Sequence, residues 1–94
     1  MKDLLKLGRV VGTPAALALL EEAKVGYTTL LERHASHDWG DVYPEDAETN
    51  EAAISDERFP GRVLSTYQIT PKDVVYVLTE CDRSATTILL PAEY

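Results

Sequence analysis

Apolar residues in the first half of the chain recur at the three- and four-residue spacing of amphipathic helices. The pattern predicts helices over Ala15–Lys24, from Thr28 to about Ser36, and from Pro44 to about Ser55. Thr13 is a favourable N-cap for the first helix. Pro14 suits the first helical position, because an N–H there would have no helical partner.

Each predicted helix has one face suited to packing on a core. The residues expected there are Ala16, Leu17 and Leu20 in the first helix, Tyr27, Leu30, Leu31 and His34 in the second, and Ala47, Asn50 and Ile54 in the third. Because a buried amide needs hydrogen-bond partners, we expect Asn50 to tie the third helix to a neighbouring loop.

Beyond Gly61 the pattern changes to the alternation and β-branched content of strands. It predicts strands over Arg62–Ile69, Val74–Thr79 and Ala85–Leu90, and a short edge strand at Arg9–Val11. Short connections favour antiparallel pairing, because parallel neighbours need longer crossovers.

The order of these elements predicts an α+β fold in a single domain over residues 1–94. In this fold the N-terminal helices pack on one face of a C-terminal, three- to four-stranded antiparallel sheet. Ser65 and Tyr67 share one strand face, where they line a pocket or pair within the sheet.

The charge of the chain is acidic and unevenly distributed. The 94 residues have a formal net charge of −7, and the segment from Glu32 to Glu57 holds nine acidic residues against one basic residue, Arg33. Such a balance argues against binding to a phosphate backbone or to an anionic membrane. With one cysteine and no signal-peptide pattern, the sequence predicts a cytoplasmic protein without a disulfide framework.

The densest polar cluster runs from His34 to Asp41. His34, Asp38 and Asp41 would share a face if a helix continued that far, which is one arrangement for a metal-dependent hydrolase. The spacing matches no established metal motif, so we expect no bound metal or cofactor. The favoured interpretation is structural. A partly positive His34 lies at a helix end, Trp39 docks into the core, and the two aspartates accept backbone N–H bonds and cap the third helix.

A second polar cluster, Glu80–Ser84, lies in a turn between strands. Asp82 and Arg83 are candidates for a clamp on an anion, but the favoured interpretation has Asp82 bonded to its own turn and Arg83 paired with an acidic side chain. For Cys81, a buried and inert thiol is expected.

Taken together, these motifs resemble a family of short proteins encoded on plasmids and other mobile elements. The matching residues are Leu7-Gly8, Val11, Thr13-Pro14, His34, Asp38-Trp39-Gly40-Asp41, Asn50, Arg62, Leu64-Ser65, Tyr67, Thr79-Glu80, Asp82-Arg83-Ser84, Thr86-Thr87-Ile88-Leu89-Leu90-Pro91 and Glu93-Tyr94. The resemblance implies that both polar clusters belong to a shared design. It also implies a left-handed or crowded backbone at His37, where the family usually has glycine.

The sequence therefore favours a non-enzymatic interaction protein that presents anions to a larger basic protein, such as a defence nuclease or DNA-binding protein. The candidate binding residues are Asp38, Asp41, Glu45, Asp46, Glu48, Glu51, Asp82 and Arg83. His34, Trp39, Asn50 and Tyr67 form a structural cluster or an alternative site. The alternative function is a small metal-dependent hydrolase that uses His34, Asp38 and Asp41 together with Asp82 and Arg83.

Overall fold

A computed structural model describes residues 4–94 and contains the three predicted helices in the first half of the chain. They are α1 (Pro14–Ala23), α2 (Tyr27–Ala35) and α3 (Pro44–Ser55). Thr13 caps α1, since its hydroxyl accepts the N–H of Ala16 at 3.2 Å. Each boundary agrees with the periodicity to within a residue. In the described part of the chain, no helix has the length and apolar character needed to cross a membrane.

The strands form one four-stranded sheet. They are β1 (Arg9–Gly12), β2 (Val63–Gln68), β3 (Val74–Thr79) and β4 (Ala85–Leu89), in the spatial order β1-β4-β3-β2. β2, β3 and β4 form an antiparallel meander, whereas β1 pairs parallel to β4. The α+β class is confirmed, but the prediction of a purely antiparallel sheet is wrong. Three helices separate β1 from the meander, and this connection is long enough for a parallel crossover.

α1 and α2 cover the inner face of the sheet. The main core joins Ala16, Leu20, Leu30 and Leu31 to side chains of β2, β3 and β4. A second cluster places Trp39 and Val63 against Ala47, Ala53 and Ile54 of α3.

Two residues that were expected to face the core do not. Leu17 is 40% exposed and Tyr27 is 52% exposed. Both lie beside β1, at the edge of the sheet, where no further strand of the described chain covers them.

Candidate interaction surface

The exposed side of α3 carries three carboxylates. Glu45 and Asp46 lie in the first turn, where the helix dipole favours negative charge, and Glu48 follows on the next turn. All three are exposed, and no described residue forms a salt bridge with them. We call this set the acidic face.

A groove runs beside the acidic face, between α3 and the outer face of the sheet. Its volume is about 370 Å³. The floor is formed by side chains of β2 and β3, among them Leu64 and Tyr76, and the carboxyl-bearing residues Asp41 and Asp46 line the side. Tyr43, which is 74% exposed, and Tyr94, which is 62% exposed, also line the groove. The groove thus combines acidic and aromatic side chains.

One cation, Arg62, also lines the groove. Its Nη2 lies 3.2 Å from Glu80 Oε1, and the hydrogen bond from Arg62 to Glu80 raises the pKa of the guanidinium. Glu80 offsets the charge of Arg62. Because Asp41 and Asp46 also line the groove, its net charge is negative.

The two aspartates of the Asp-Trp-Gly-Asp motif are engaged in local contacts. Asp38 accepts hydrogen bonds from Arg33 Nε at 2.7 Å and from the N–H of Gly40 at 3.2 Å, and the bond from Arg33 lowers the pKa of Asp38. Asp41 accepts the N–H of Gln68 at 3.1 Å. The expected bonds to backbone N–H groups are confirmed. The expected capping of α3 is wrong, because its N-cap is Tyr43.

These contacts lie along the outer edge of β2, where the Trp39–Asp41 segment pairs with the backbone of the strand. The N–H of Thr66 donates to Trp39 O at 3.0 Å, and its carbonyl accepts the N–H of Asp41 at 2.7 Å. Gly40 has a φ of 72°, and a Cβ at this position would overlap the carbonyl oxygen of Thr66. Only glycine lets the motif approach the strand this closely.

Asn50 covers the same edge of β2 further along the strand. Its Nδ2 donates to Leu64 O at 2.8 Å, and its Oδ1 accepts the N–H of Leu64 at 3.1 Å. The side chain therefore pairs with the strand edge as a neighbouring strand would. Asn50 is buried and ties α3 to another element, as predicted, but its partner is β2 and not a loop.

Glu51 is held on the inner side of α3. It accepts a hydrogen bond from Trp39 Nε1 at 3.1 Å and lies 2.9 Å from His37 Nδ1. The His37 ring stacks on Trp39 with a centroid separation of 5.1 Å. His37 has a φ of 67°, the left-handed conformation expected at this position. Glu51 is thus part of the scaffold beneath the acidic face.

His34 is completely buried, and both of its ring nitrogens have partners. Nδ1 lies 2.5 Å from Ser65 Oγ, and Nε2 lies 2.8 Å from Thr79 Oγ1. The hydrogen-bonded series continues from Thr79 to Thr86, whose hydroxyl donates to Leu7 O. Because the Thr86 hydroxyl donates to Leu7 O, it accepts a hydrogen bond from Thr79. The Thr79 hydroxyl must then accept a hydrogen bond from the Nε2–H of His34. The other ring nitrogen, Nδ1, carries no hydrogen and accepts a hydrogen bond from Ser65.

Burial lowers the pKa of His34 to about 4, so the ring is neutral at pH 7. The expectation of a partly positive imidazole at the helix end is therefore wrong. Its hydrogen-bond partners are uncharged hydroxyls, which do not offset the cost of removing the cation from water.

Tyr67 closes the inner end of the motif loop. Its hydroxyl donates to Asp38 O at 2.7 Å, and Arg33 lies over its ring at 4.6 Å from the centroid. Burial raises the pKa of Tyr67 to about 12. The phenol is therefore a hydrogen-bond donor and part of the scaffold.

The second polar turn is also bonded to the protein itself. Asp82 accepts the N–H of Ser84 at 2.9 Å, as predicted. The prediction that Arg83 pairs with an acid is wrong. Its Nη1 donates to Gly61 O at 2.6 Å and to Glu80 O at 3.1 Å, and its Nη2 donates to Ala53 O at 3.3 Å. Cys81 is exposed and not buried, because it lies in the turn itself.

The residues of the alternative hydrolase do not converge. Asp41 is bonded to the end of β2 at Gln68, whereas Arg83 reaches Gly61, just before β2 begins. His34 lies inside the core between Ser65 and Thr79. Among residues 4–94 there is no group of three or more His, Cys, Asp or Glu side chains placed to hold a metal ion.

Fold and site together define a small α+β protein with an acidic helix beside a tyrosine-lined groove. Comparison with family models, curated proteins and solved structures finds no match to this chain.

Proposed function

We propose that this protein is an interaction module that binds a basic segment of a larger protein through the acidic face and the adjoining groove. One observation carries the proposal. Glu45, Asp46 and Glu48 are exposed without a cationic partner among the described residues. The neighbouring acids Asp38, Asp41 and Glu51 are instead bonded to groups of the protein itself. Unpaired, clustered carboxylates attract a cationic surface and speed its association.

The groove supports a cationic ligand in a second way. An arginine or lysine side chain in the groove would lie among Asp41, Asp46 and the rings of Tyr43 and Tyr94. A cation over an aromatic face gains about 0.5–1 kcal/mol at an exposed site, in addition to its attraction to carboxylates. Clustered carboxylates also have the sign of phosphates, so the basic cleft of a nuclease or a DNA-binding protein is a partner of suitable chemistry.

Two matched triple variants test the proposal. E45Q/D46N/E48Q neutralises the acidic face, and E21Q/E22Q/E32Q removes the same number of charges from exposed positions on α1 and α2. Each variant and the wild type are immobilised and challenged with lysate of the producing cell at low and high salt. We expect a basic partner to be retained by the wild type and by the control triple, and lost from the acidic-face triple.

Retention should also fall with added salt, because exposed charge pairs are screened. Equal retention by both triples, or a partner whose binding ignores salt, would refute the proposal.

A further inference from the structure

The two edges of the sheet differ in how they are covered. The outer edge of β2 is sealed by Asn50 and by the Trp39–Asp41 segment. β1 forms the other edge, and no described strand pairs with its outer side. Its residues Val10 and Val11 are 41% and 38% exposed. An exposed apolar edge strand is a template for pairing with another chain.

The hydrogen-bonding groups of β1 show which residues are available. The N–H of Arg9 donates to Ser84 O at 3.0 Å, and the N–H of Thr13 donates to Ile88 O at 2.9 Å. Since the direction of these groups alternates along a strand, the N–H and C=O of Val10 and Gly12 point away from β4. Together they offer two donors and two acceptors on the open side.

We infer that β1 pairs antiparallel with β1 of a second copy of this chain, forming a symmetric dimer with an eight-stranded sheet. The extended segment is bounded by Gly8, which has a φ of 65°, and by Pro14, where α1 begins. Its centre is Val11. In a symmetric dimer, two copies of this segment pair along their whole length only when the two-fold axis passes through Val11, so that Val11 lies opposite Val11 of the other copy.

Side chains on one face fit this register. Val10 of one copy lies opposite Gly12 of the other, where the Leu17 side chain occupies the place that a Cβ would take. Val10 would therefore pack on Leu17, which together with Tyr27 lines an apolar pocket of about 250 Å³ beside β1. The pairing therefore covers Leu17 and Tyr27, which are partly exposed in the single chain.

Charge on the opposite face fits as well. In this register Arg9 lies opposite Thr13 of the other copy. Within each copy the Thr13 hydroxyl donates to Glu93 Oε1 at 2.7 Å, so a carboxylate lies beside Thr13. Arg9 of each copy therefore faces Glu93 of the other. The acidic faces lie beside the β2 edges, away from the dimer axis, so their mutual repulsion is small.

Sedimentation velocity tests the dimer. We expect the wild type to change from one to two chains per particle as its concentration rises through the micromolar range, because the paired strands are short. V11K places two ammonium groups opposite each other at the axis and should weaken association by at least tenfold, whereas V11T keeps the β-branched shape and should dimerise. A wild type that remains monomeric throughout, or a dimer that V11K leaves unchanged, overturns the inference. Circular dichroism checks that both variants fold.

Cysteine cross-linking tests the register. Exposed Cys81 is first replaced in C81S, and V11C or V10C is added to this background. At the axis the Cα atoms of position 11 in the two copies lie within disulfide range, whereas those of position 10 are offset along the strand beyond it. Because both positions are similarly exposed in the monomer, we expect V11C to form the covalent dimer much faster. Equal rates, or a faster V10C, overturn the proposed register. The result does not depend on the proposed basic partner.

Discussion

At the scale of single residues, burial among uncharged hydroxyls favours a neutral imidazole at His34. A protonated ring would have two donors, but the Ser65 hydroxyl already donates to Nδ1, and Ser65 would have to reverse its proton. Burial without an acidic partner adds a cost to the charged form. The residue is therefore a core histidine that makes folding depend on pH.

We predict that stability falls as the pH is lowered from about 6.5 to about 4. In this window the unfolded chain binds a proton at His34 and the folded protein does not, so protonation favours unfolding. Above pH 6.5 both states are neutral and the stability is fully present. The pKa shift corresponds to a loss of about 3 kcal/mol in the free energy of unfolding.

Urea unfolding at a series of pH values measures this loss. H34Q, which does not titrate, is the control. Carboxylates whose pKa is lowered in the fold, including Asp38, Asp82 and Glu93, contribute equally to both proteins at lower pH. The difference between the two curves therefore isolates His34. Parallel curves from pH 7 to pH 4 would contradict a neutral buried ring.

At the scale of elements, Asn50 and the Trp39–Asp41 segment cover the outer edge of β2. Asn50 bonds to both outward backbone groups of Leu64. Trp39 and Asp41 bond to those of Thr66, and Asp41 also accepts the N–H of Gln68. An uncovered edge would leave a second site for pairing between chains. The motif thus restricts pairing to the opposite edge, at β1.

We predict that N50A destabilises the protein by about 2–3 kcal/mol, because it leaves both backbone groups of Leu64 without their partner. E48A, an exposed substitution on the same helix, should change the free energy of unfolding by less than about 0.5 kcal/mol. Urea unfolding measures both. Hydrogen exchange at the Leu64 amide should also become faster in N50A. An N50A protein as stable as E48A would show that the amide does not hold this edge.

Local pattern was enough to predict the helices and the meander, because spacing and capping act over a few residues. Thr13, Pro14 and the run after Pro44 carry their own boundaries. The parallel pairing of β1 with β4 was missed, since the rule for short connections applies only to strands adjacent in sequence. The partners of His34 and Arg83 were also missed, because they are distant in the chain and are chosen by packing.

At the scale of the whole molecule, the sheet separates two surfaces. The acidic face and its groove lie along β2, and the apolar edge lies at β1. A dimer through β1 would place two acidic faces at the far ends of one sheet. Two linked sites raise the apparent affinity for a partner with repeated basic segments.

The central claim is that cations bind at the acidic face and not over the acidic surface in general. An NMR titration of the isotope-labelled protein with an arginine-rich peptide tests it most directly. We expect the largest amide shifts between Asp41 and Glu48 and at Tyr76 and Tyr94, and we expect them to decrease with added salt. Shifts of equal size at Glu21 and Glu22 on α1, or shifts that ignore salt, would contradict it.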